Sequence, residues 1–427
     1  MRIGIIIGRI GGIDGVALET EKWIEVLYKL KHKIFVISGQ FQERKINNIS
    51  ETLVPEMSFF SPESYWEQKK AFHNPEANLN DLAEHIEFYT KIIKSSIIKW
   101  VNDNNLDLLI SENASALPSH ISMGLGIKRS AEELGIPIIT HDHDFAWERG
   151  ERYISPHKEI NKLIAETFPL RLPNSYHAVI NLHGQKILKE KFNRDSVIVP
   201  NVMNFDKEFG LKNSTNINFK KDLGLPEDSI ILSQITRIVR RKGIEVAIKL
   251  IKELNDKRIK LVITGSNSDD EGNVYYNELI EQIHDLRLQG QVIFASHLIN
   301  NSGFTGNREK MYSLSDAYAN STACAYFSIY EGFGNAFVEA VLSKTPIFVN
   351  NYKPVYWPDI GSKGFKTVML EDNNLTKEKI EQMHEIIFNK KLAQEIANFN
   401  FELGKKYFSY DTLSQKLQEI ISKINFK

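Results

Sequence analysis

The densest chemical signal in this 427-residue chain is Glu331-Gly332-Phe333-Gly334-Asn335-Ala336-Phe337-Val338-Glu339. Carboxylates accept paired hydrogen bonds from vicinal diols, the hydroxyl pattern of sugars and of ribose. Gly332 and Gly334 open a predicted helix with Asn335 in its first turn. Backbone N–H groups at such an N-terminus bind anionic or hydroxyl-rich groups. A core helix has no use for two acids around a glycine turn flanked by apolar Tyr326–Tyr330 and Ala340–Leu342. Upstream, Thr236-Arg237-Ile238-Val239-Arg240-Arg241-Lys242-Gly243 follows a strand candidate directly. A basic cluster at the carboxyl end of a strand can hold a diphosphate without a metal, Arg bidentately and Lys as a point charge. The bland alternative is a solvated helix cap. Thr264-Gly265-Ser266 ends the next strand and faces the same crevice; alone it is ordinary turn chemistry.

The first half carries weaker signals. Gly8, Gly11, Gly12 and Gly15 form a glycine-rich turn between strand and helix, suited to an anion at the helix N-terminus or simply to a tight turn. Neither Gly-x-Gly-x-x-Gly nor the P-loop pattern occurs, which argues against a dinucleotide dehydrogenase and a P-loop NTPase. Further on, Thr140-His141-Asp142-His143-Asp144 ends a strand candidate. His141, His143, Arg149 and Arg152, with Arg171 further along, form a polar group suited to a phosphate or carboxylate on a small acceptor. The competing reading is a loop salt-bridged to Glu148 and Glu151. A His-Asp metal site in this tract needs a ligand from elsewhere, because residues one or two apart do not close a site alone.

These residues need a scaffold that brings loops together. Short β-branched runs alternate with helical patterns: Ile3–Ile7, Ile34–Ile37, Leu106–Ile110, Ile136–Thr140, Ala178–Ile180 and Val197–Val199 read as strands. The pattern restarts at Ile230–Ile235, with Leu261–Thr264, Val292–Phe294 and Pro346–Val349 to follow. Strand, helix, strand in this order predicts parallel sheets with helices on both faces. The polar, Asn- and Lys-rich stretch from Val202 to Leu225 reads as a linker, with a domain boundary near Asn204. Ile86–Val101 is a basic amphipathic helix with Ile86, Tyr89, Ile93, Ile97 and Trp100 on one face. It fits a core-facing helix better than a membrane-surface one.

Composition narrows the class. Lys+Arg number 53 against Asp+Glu 54, so the net charge is −1 and a general nucleic-acid binder is not expected. The single cysteine, Cys324, rules out an internal disulfide and a Cys-based zinc site. No stretch approaches the roughly 20 apolar residues that span a bilayer, and the N-terminus lacks the form of a signal peptide. A cytoplasmic protein is expected, with membrane-surface association open but not favoured.

Taken together, the Gly11-Gly12 turn, Arg237 with Lys242-Gly243, Gly265 and the Glu-x7-Glu element resemble the retaining nucleotide-sugar glycosyltransferases of GT-B fold, glycosyltransferase family 4. The resemblance implies two doubly wound Rossmann-like domains facing across a cleft. Residues 1–204 would bind the acceptor and 205–405 the nucleotide sugar, while 406–427 would supply a helix crossing back to the first domain. It implies that Arg237 and Lys242 bind the donor diphosphate and that Glu331 binds donor sugar hydroxyls. Backbone at Gly332, Phe333, Gly334, Asn335 and Ala336 would lie beside sugar and phosphates. Glu339 would bind ribose, Gly265 would line the donor crevice, and Gly11 and Gly12 would approach the phosphates. His141, or alternatively His143, matches the family's first-domain histidine near the sugar. Asp142-His143-Asp144 also spells the Asp-x-Asp metal signature of the other large glycosyltransferase fold, but the basic pair favours metal-independent stabilisation of the leaving group. The expected partners are a nucleoside-diphosphate hexose, glucose or mannose, and a small-molecule or glycan hydroxyl acceptor: a sugar, a sugar phosphate, a sugar acid such as a glycerate derivative, or a lipid-linked sugar. No cofactor is required, with magnesium admissible but not essential. A nucleotide-sugar epimerase, a phosphorylase and a sugar-binding protein are the alternatives.

Overall fold

The structure is a computed structural model and describes residues 1–12, 14–44, 46, 49–266, 270–299 and 311–426. It divides into two compact units, residues 1–201 with 410–427, and residues 202–409.

The first unit is a seven-stranded parallel sheet. In chain order its strands are β1 (Arg2–Ile7), β2 (Lys33–Ser38), β3 (Ser50–Leu53), β4 (Leu108–Glu112), β5 (Ile138–Asp142), β6 (Ser175–Val179) and β7 (Ser196–Ile198). Their spatial order is β3-β2-β1-β4-β5-β6-β7. The chain therefore reverses its direction of winding between β1 and β4, and that switch point opens a crevice at the carboxyl ends of these strands. The central strands are β-branched runs buried on both faces; Ile3, Ile5 and Ile6 are fully buried. The edge strand β3, with sequence Ser-Glu-Thr-Leu, has no apolar pattern to announce it.

Helix Leu79–Asn104 contains the basic amphipathic segment. Ile93, Ile97, Trp100 and Val101 pack into the core with Ile6, Phe35, Ile37 and Leu109, each buried Ile or Leu contributing about 1.5–3 kcal/mol. The segment thus faces the core. One detail differs from expectation: Thr90, not Tyr89, is buried at that level, because the stripe drifts around the helix. No helix among the described residues is long and apolar enough to cross a membrane. The last helix, Tyr410–Ser422, buries Leu413, Leu417 and Ile420, and its Tyr410 hydroxyl donates to Glu25 on helix Gly15–Lys29 at 3.3 Å.

The second unit is a six-stranded parallel sheet of β8 (Ile230–Gln234), β9 (Ile259–Ile263), β10 (Val292–Phe294), β11 (Ala323–Tyr326), β12 (Ile347–Asn350) and β13 (Val368–Leu370). The order β10-β9-β8-β11-β12-β13 puts the switch point between β8 and β11. The stretch expected to be a linker is packed instead. Asn216 and Phe219 are fully buried, the Phe219 ring meets Tyr312 edge-on at 5.0 Å, and the Met203 amide donates to the Phe408 carbonyl at 2.8 Å.

A buried acid clamps two helices of the first unit. Glu67, on helix Pro62–Phe72, accepts hydrogen bonds from Ile121 N, Ser122 N and the Ser122 hydroxyl at the start of helix Ile121–Leu134. Burial raises its pKa to about 7, against the opposing effect of those bonds. A carboxyl whose folded pKa is raised contributes stability that is complete below its unfolded value and is lost as pH rises through the folded value. Between pH 4.5 and 7 the wild type should therefore lose on the order of 2 kcal/mol relative to Glu67→Gln, read from urea denaturation at each pH. Two parallel stability curves would rule out the burial effect.

Candidate functional site

In the second unit the chain leaves β8 through Ile235, Thr236 and Arg237, forms the 3-10 turn Arg240–Lys242, and enters helix Ile244–Leu254. It leaves β11 through residues 327–333 and enters helix Asn335–Leu342. β8 and β11 are neighbours, so the two loops meet at the switch point. There Glu331 receives Lys242 on one carboxylate oxygen and Arg241 on the other, the Arg241 Nη1 contact being 2.8 Å. Arg241 also donates to the Tyr330 carbonyl at 3.0 Å. Lys242 is 9% exposed and Glu331 7%. Burial works against charge on both. On Glu331 the two cations prevail and hold its carboxyl below the usual range, while on Lys242 desolvation prevails and lowers the ammonium. The pair is an ion pair in a low-dielectric pocket, where fixed charges act strongly.

Glycine geometry builds this crevice. Gly334 has φ +122°, and a Cβ there would lie 2.1 Å from the Tyr352 hydroxyl. At Gly265 a Cβ would meet the Thr236 carbonyl oxygen at 2.0 Å, so β9 can end against the β8 loop only without a side chain. Phe333 is buried, while Gly332, Asn335 and Ala336 are half-buried around the helix start. Glu339, one turn in, accepts from the Tyr318 hydroxyl at 3.1 Å. Arg237 is exposed and makes no ion pair among the described residues. Arg240 turns outward to Glu278. The cation missed in the sequence is Arg241. Three adjacent basic residues look alike until the 3-10 turn decides which face Glu331.

The glycine turn of the first unit is engaged by groups of its own unit. Gly12 N already donates to the Glu43 carbonyl at 2.8 Å. Asp14 caps helix Gly15–Lys29 by accepting from Val16 N and Ala17 N at 3.0 and 3.1 Å, and it lies 3.3 Å from Arg9. An acid of the chain itself occupies that helix N-terminus, with its favourable dipole. Gly11, beside it, has φ +88° and packs against Gln42 backbone.

His141 and His143 both lie in one cluster at the ends of β4 and β5. His141 Nδ1 is 2.8 Å from Glu112 Oε2, and both side chains are fully buried. Trp23 stacks on the His141 ring at 4.0 Å, and His143 approaches it at 4.2 Å. His143 N donates to Asn113 at 3.0 Å. Burial raises Glu112 to about 8 and lowers His141 to about 4 and His143 to about 3, so the cluster is uncharged near neutrality. Arg149 pairs with Asp144, and exposed Arg152 lies over the Tyr153 ring. Arg171 donates to the Ala165 and Phe168 carbonyls, away from this group.

The acids of Asp-His-Asp turn to different partners. Asp142 accepts from Thr140 at 2.8 Å and faces His177, whereas Asp144 takes Asn113 and Arg149. Among the described residues, the group with metal-ligand atoms within 4.8 Å of one another is Glu112, His141 and His143. His143 Nε2 stands 4.0 Å from Glu112 Oε2, wider than the roughly 3.4 Å between two ligands on a tetrahedral zinc.

Two parallel, doubly wound sheets, each with its polar groups at the switch point, define a GT-B architecture. Residues 215–400 match the family model described as glycosyl transferases group 1. The chain is 29% identical to mannosylglucosylglycerate synthase of Petrotoga mobilis, covering 96% of this chain and 98% of that one. It is also 29% identical to the Thermotoga maritima protein of the same name, covering 99% of each. A solved glycosyltransferase from Rickettsia africae shares the fold with a TM-score of 0.66 at 15% identity, over 99% of this chain and 98% of that chain. The fold is GT-B, and residues 215–400 carry the likeness to glycosyl transferases group 1.

Because Glu331 neutralises two cations inside the fold, its removal strands a buried ammonium. Glu331→Ala should destabilise the protein by about 3 kcal/mol, and adding Lys242→Met should recover most of that loss. Urea denaturation of the two variants decides it; a single mutant as stable as the double would disprove burial of an effective pair.

Proposed function

We propose that the chain transfers a hexosyl group, mannosyl or glucosyl, from a nucleoside-diphosphate sugar to a hydroxyl of a small carboxylated acceptor of the glycerate type. The observation that carries this is the Lys242–Glu331–Arg241 cluster at the switch point of the second unit. It joins fixed cations for a diphosphate to a carboxylate for sugar hydroxyls at one helix N-terminus. The names of the two relatives, matched over nearly the whole chain, support the acceptor class.

In this reading the donor diphosphate takes over Lys242 and Arg241, with Arg237 closing on it from solvent. Glu331 is then released to donor sugar hydroxyls, Glu339 binds ribose, and backbone from Gly332 to Ala336 lies along sugar and phosphate. Breaking the anomeric bond builds negative charge on the diphosphate, which preorganised cations and the dipole of helix Asn335–Leu342 stabilise. Each such donor is worth about 100- to 1,000-fold in turnover. The departing phosphate oxygen takes the acceptor proton, attack comes on the face of departure, and configuration is retained, as in family 4. No side chain acts as a nucleophile and no step needs a metal. His141 meets a sugar hydroxyl, while His143, Arg149 and Arg152 serve the acceptor.

A thermal-shift screen of UDP- and GDP-linked glucose and mannose should find one donor that raises the melting temperature. Incubating that donor with glycerate, phosphoglycerate and glucosylglycerate, with chelator present, should give a glycoside of unchanged anomeric configuration. Lys242→Ala and Glu331→Ala should each lower kcat at least about 100-fold with the circular dichroism spectrum preserved. Wild-type-like turnover in both variants would defeat the site assignment.

A further inference from the structure

The first unit concentrates buried polar atoms that lack partners where β4 and β5 end: Glu112 Oε1, His141 Nε2 and His143 Nε2. An unsatisfied buried polar atom costs about 1–3 kcal/mol, so several at one crevice point to a ligand that supplies hydrogen bonds. Strand register assembles part of this group. In the β4–β5 pair Glu112 stands directly opposite His141, so the two side chains leave the same face of the sheet and meet. The contact is 2.8 Å with both groups fully buried. Trp23 covers one part of the ring by stacking at 4.0 Å, and His143 leans on it at 4.2 Å.

We propose that Glu112 is a positioning residue for His141, binding its Nδ1 so that one tautomer is held and Nε2 is kept for a hydroxyl of the bound sugar. This rests on the glycosyltransferase reading above. The reason is geometric. An imidazole alone can rotate and exchange tautomers, which would offer a hydroxyl a donor at one moment and an acceptor at the next. With Glu112 kept protonated by burial, its hydroxyl donates to Nδ1, which holds the imidazole proton on Nε2, and Trp23 blocks ring rotation. Burial raises the Glu112 pKa and lowers that of His141, so the dyad carries no net charge and suits an uncharged hydroxyl. Glu19 and Asp142 also face His141, and Thr20 and Asp142 face Glu112.

The test compares Glu112→Ala, Glu112→Gln, His141→Ala and the Glu112→Ala/His141→Ala double variant. Glu112→Ala should lower kcat/KM about 100-fold, the scale on which a misplaced group acts. Glu112→Gln, which can still bond Nδ1, should recover most of that loss. The double variant should be no worse than His141→Ala, because residues acting through one another are not additive. Nitrogen-15 NMR of histidine-labelled protein should show one His141 tautomer in the wild type and a mixture in Glu112→Ala. Wild-type kcat/KM in Glu112→Ala, additive effects, a Gln variant no better than Ala, or an unchanged tautomer would each overturn the proposal. So would stoichiometric zinc in the purified protein that disappears in Glu112→Ala. If no donor and acceptor pair reacts at all, the functional reading fails, and the NMR comparison still decides the role of Glu112.

Discussion

A buried carboxylate held between two cations is the constraint around which the second unit is arranged. Charges that leave water lose several kcal/mol of solvation each, and only close pairing offsets the loss. The fold supplies that closeness through backbone approach. Gly243 has φ +61° and lies against the Phe327 carbonyl, which brings the Arg240–Lys242 turn onto the β11 loop. Ile329 N donates to the Arg241 carbonyl at 2.7 Å, tying the loops together directly. With the loops locked, the backbone fixes where Lys242 and Arg241 stand around Glu331. Fixing of this kind, with Lys242 largely withdrawn from water, distinguishes it from a solvated cation.

Both units use one topological device with opposite electrostatics. Each parallel sheet reverses its winding once, between β1 and β4 or between β8 and β11, and each collects its polar side chains at the carboxyl ends there. In the second unit the group is ionic. In the first unit burial pushes the acid and the histidines toward their neutral forms, and the helix N-terminus nearest the glycine turn is already capped by Asp14. An architecture repeated along the chain therefore yields one crevice suited to anions and one suited to uncharged polar groups.

How far these features can be read from sequence follows from their physical origin. β1, β2, β8 and β9 are β-branched runs buried on both faces, and each stands out from the polar segments around it. β3 is four residues with one apolar side chain, β11 is Ala-Cys-Ala-Tyr, and β13 is three residues long. Their pairing is imposed by neighbouring strands, so local pattern does not reveal them. In the site, Glu331 and Lys242 were legible because their chemistry is unusual beside a glycine turn. Arg241 was not, since only turn geometry separates it from Arg240. Glu112 was illegible for a different reason: it matters through the residue opposite it in the register, a relation between segments that no single segment contains.

That register relation also bears on what each crevice selects. A sugar hydroxyl both donates and accepts, so it can satisfy Nε2 of a fixed neutral imidazole whichever tautomer is held. A phosphate only accepts and brings charge, and a buried neutral cluster with a carboxyl at its centre offers it no compensation. The buried Glu112–His141–His143 group is thus matched to the polyol part of a ligand. In the proposed reading, a carboxylate or phosphate on the acceptor meets the exposed guanidinium of Arg152, which solvent screens, or Arg149 once it leaves Asp144. In that reading, selectivity for the charged end of an acceptor rests on a weaker, more adaptable contact than selectivity for its hydroxyls.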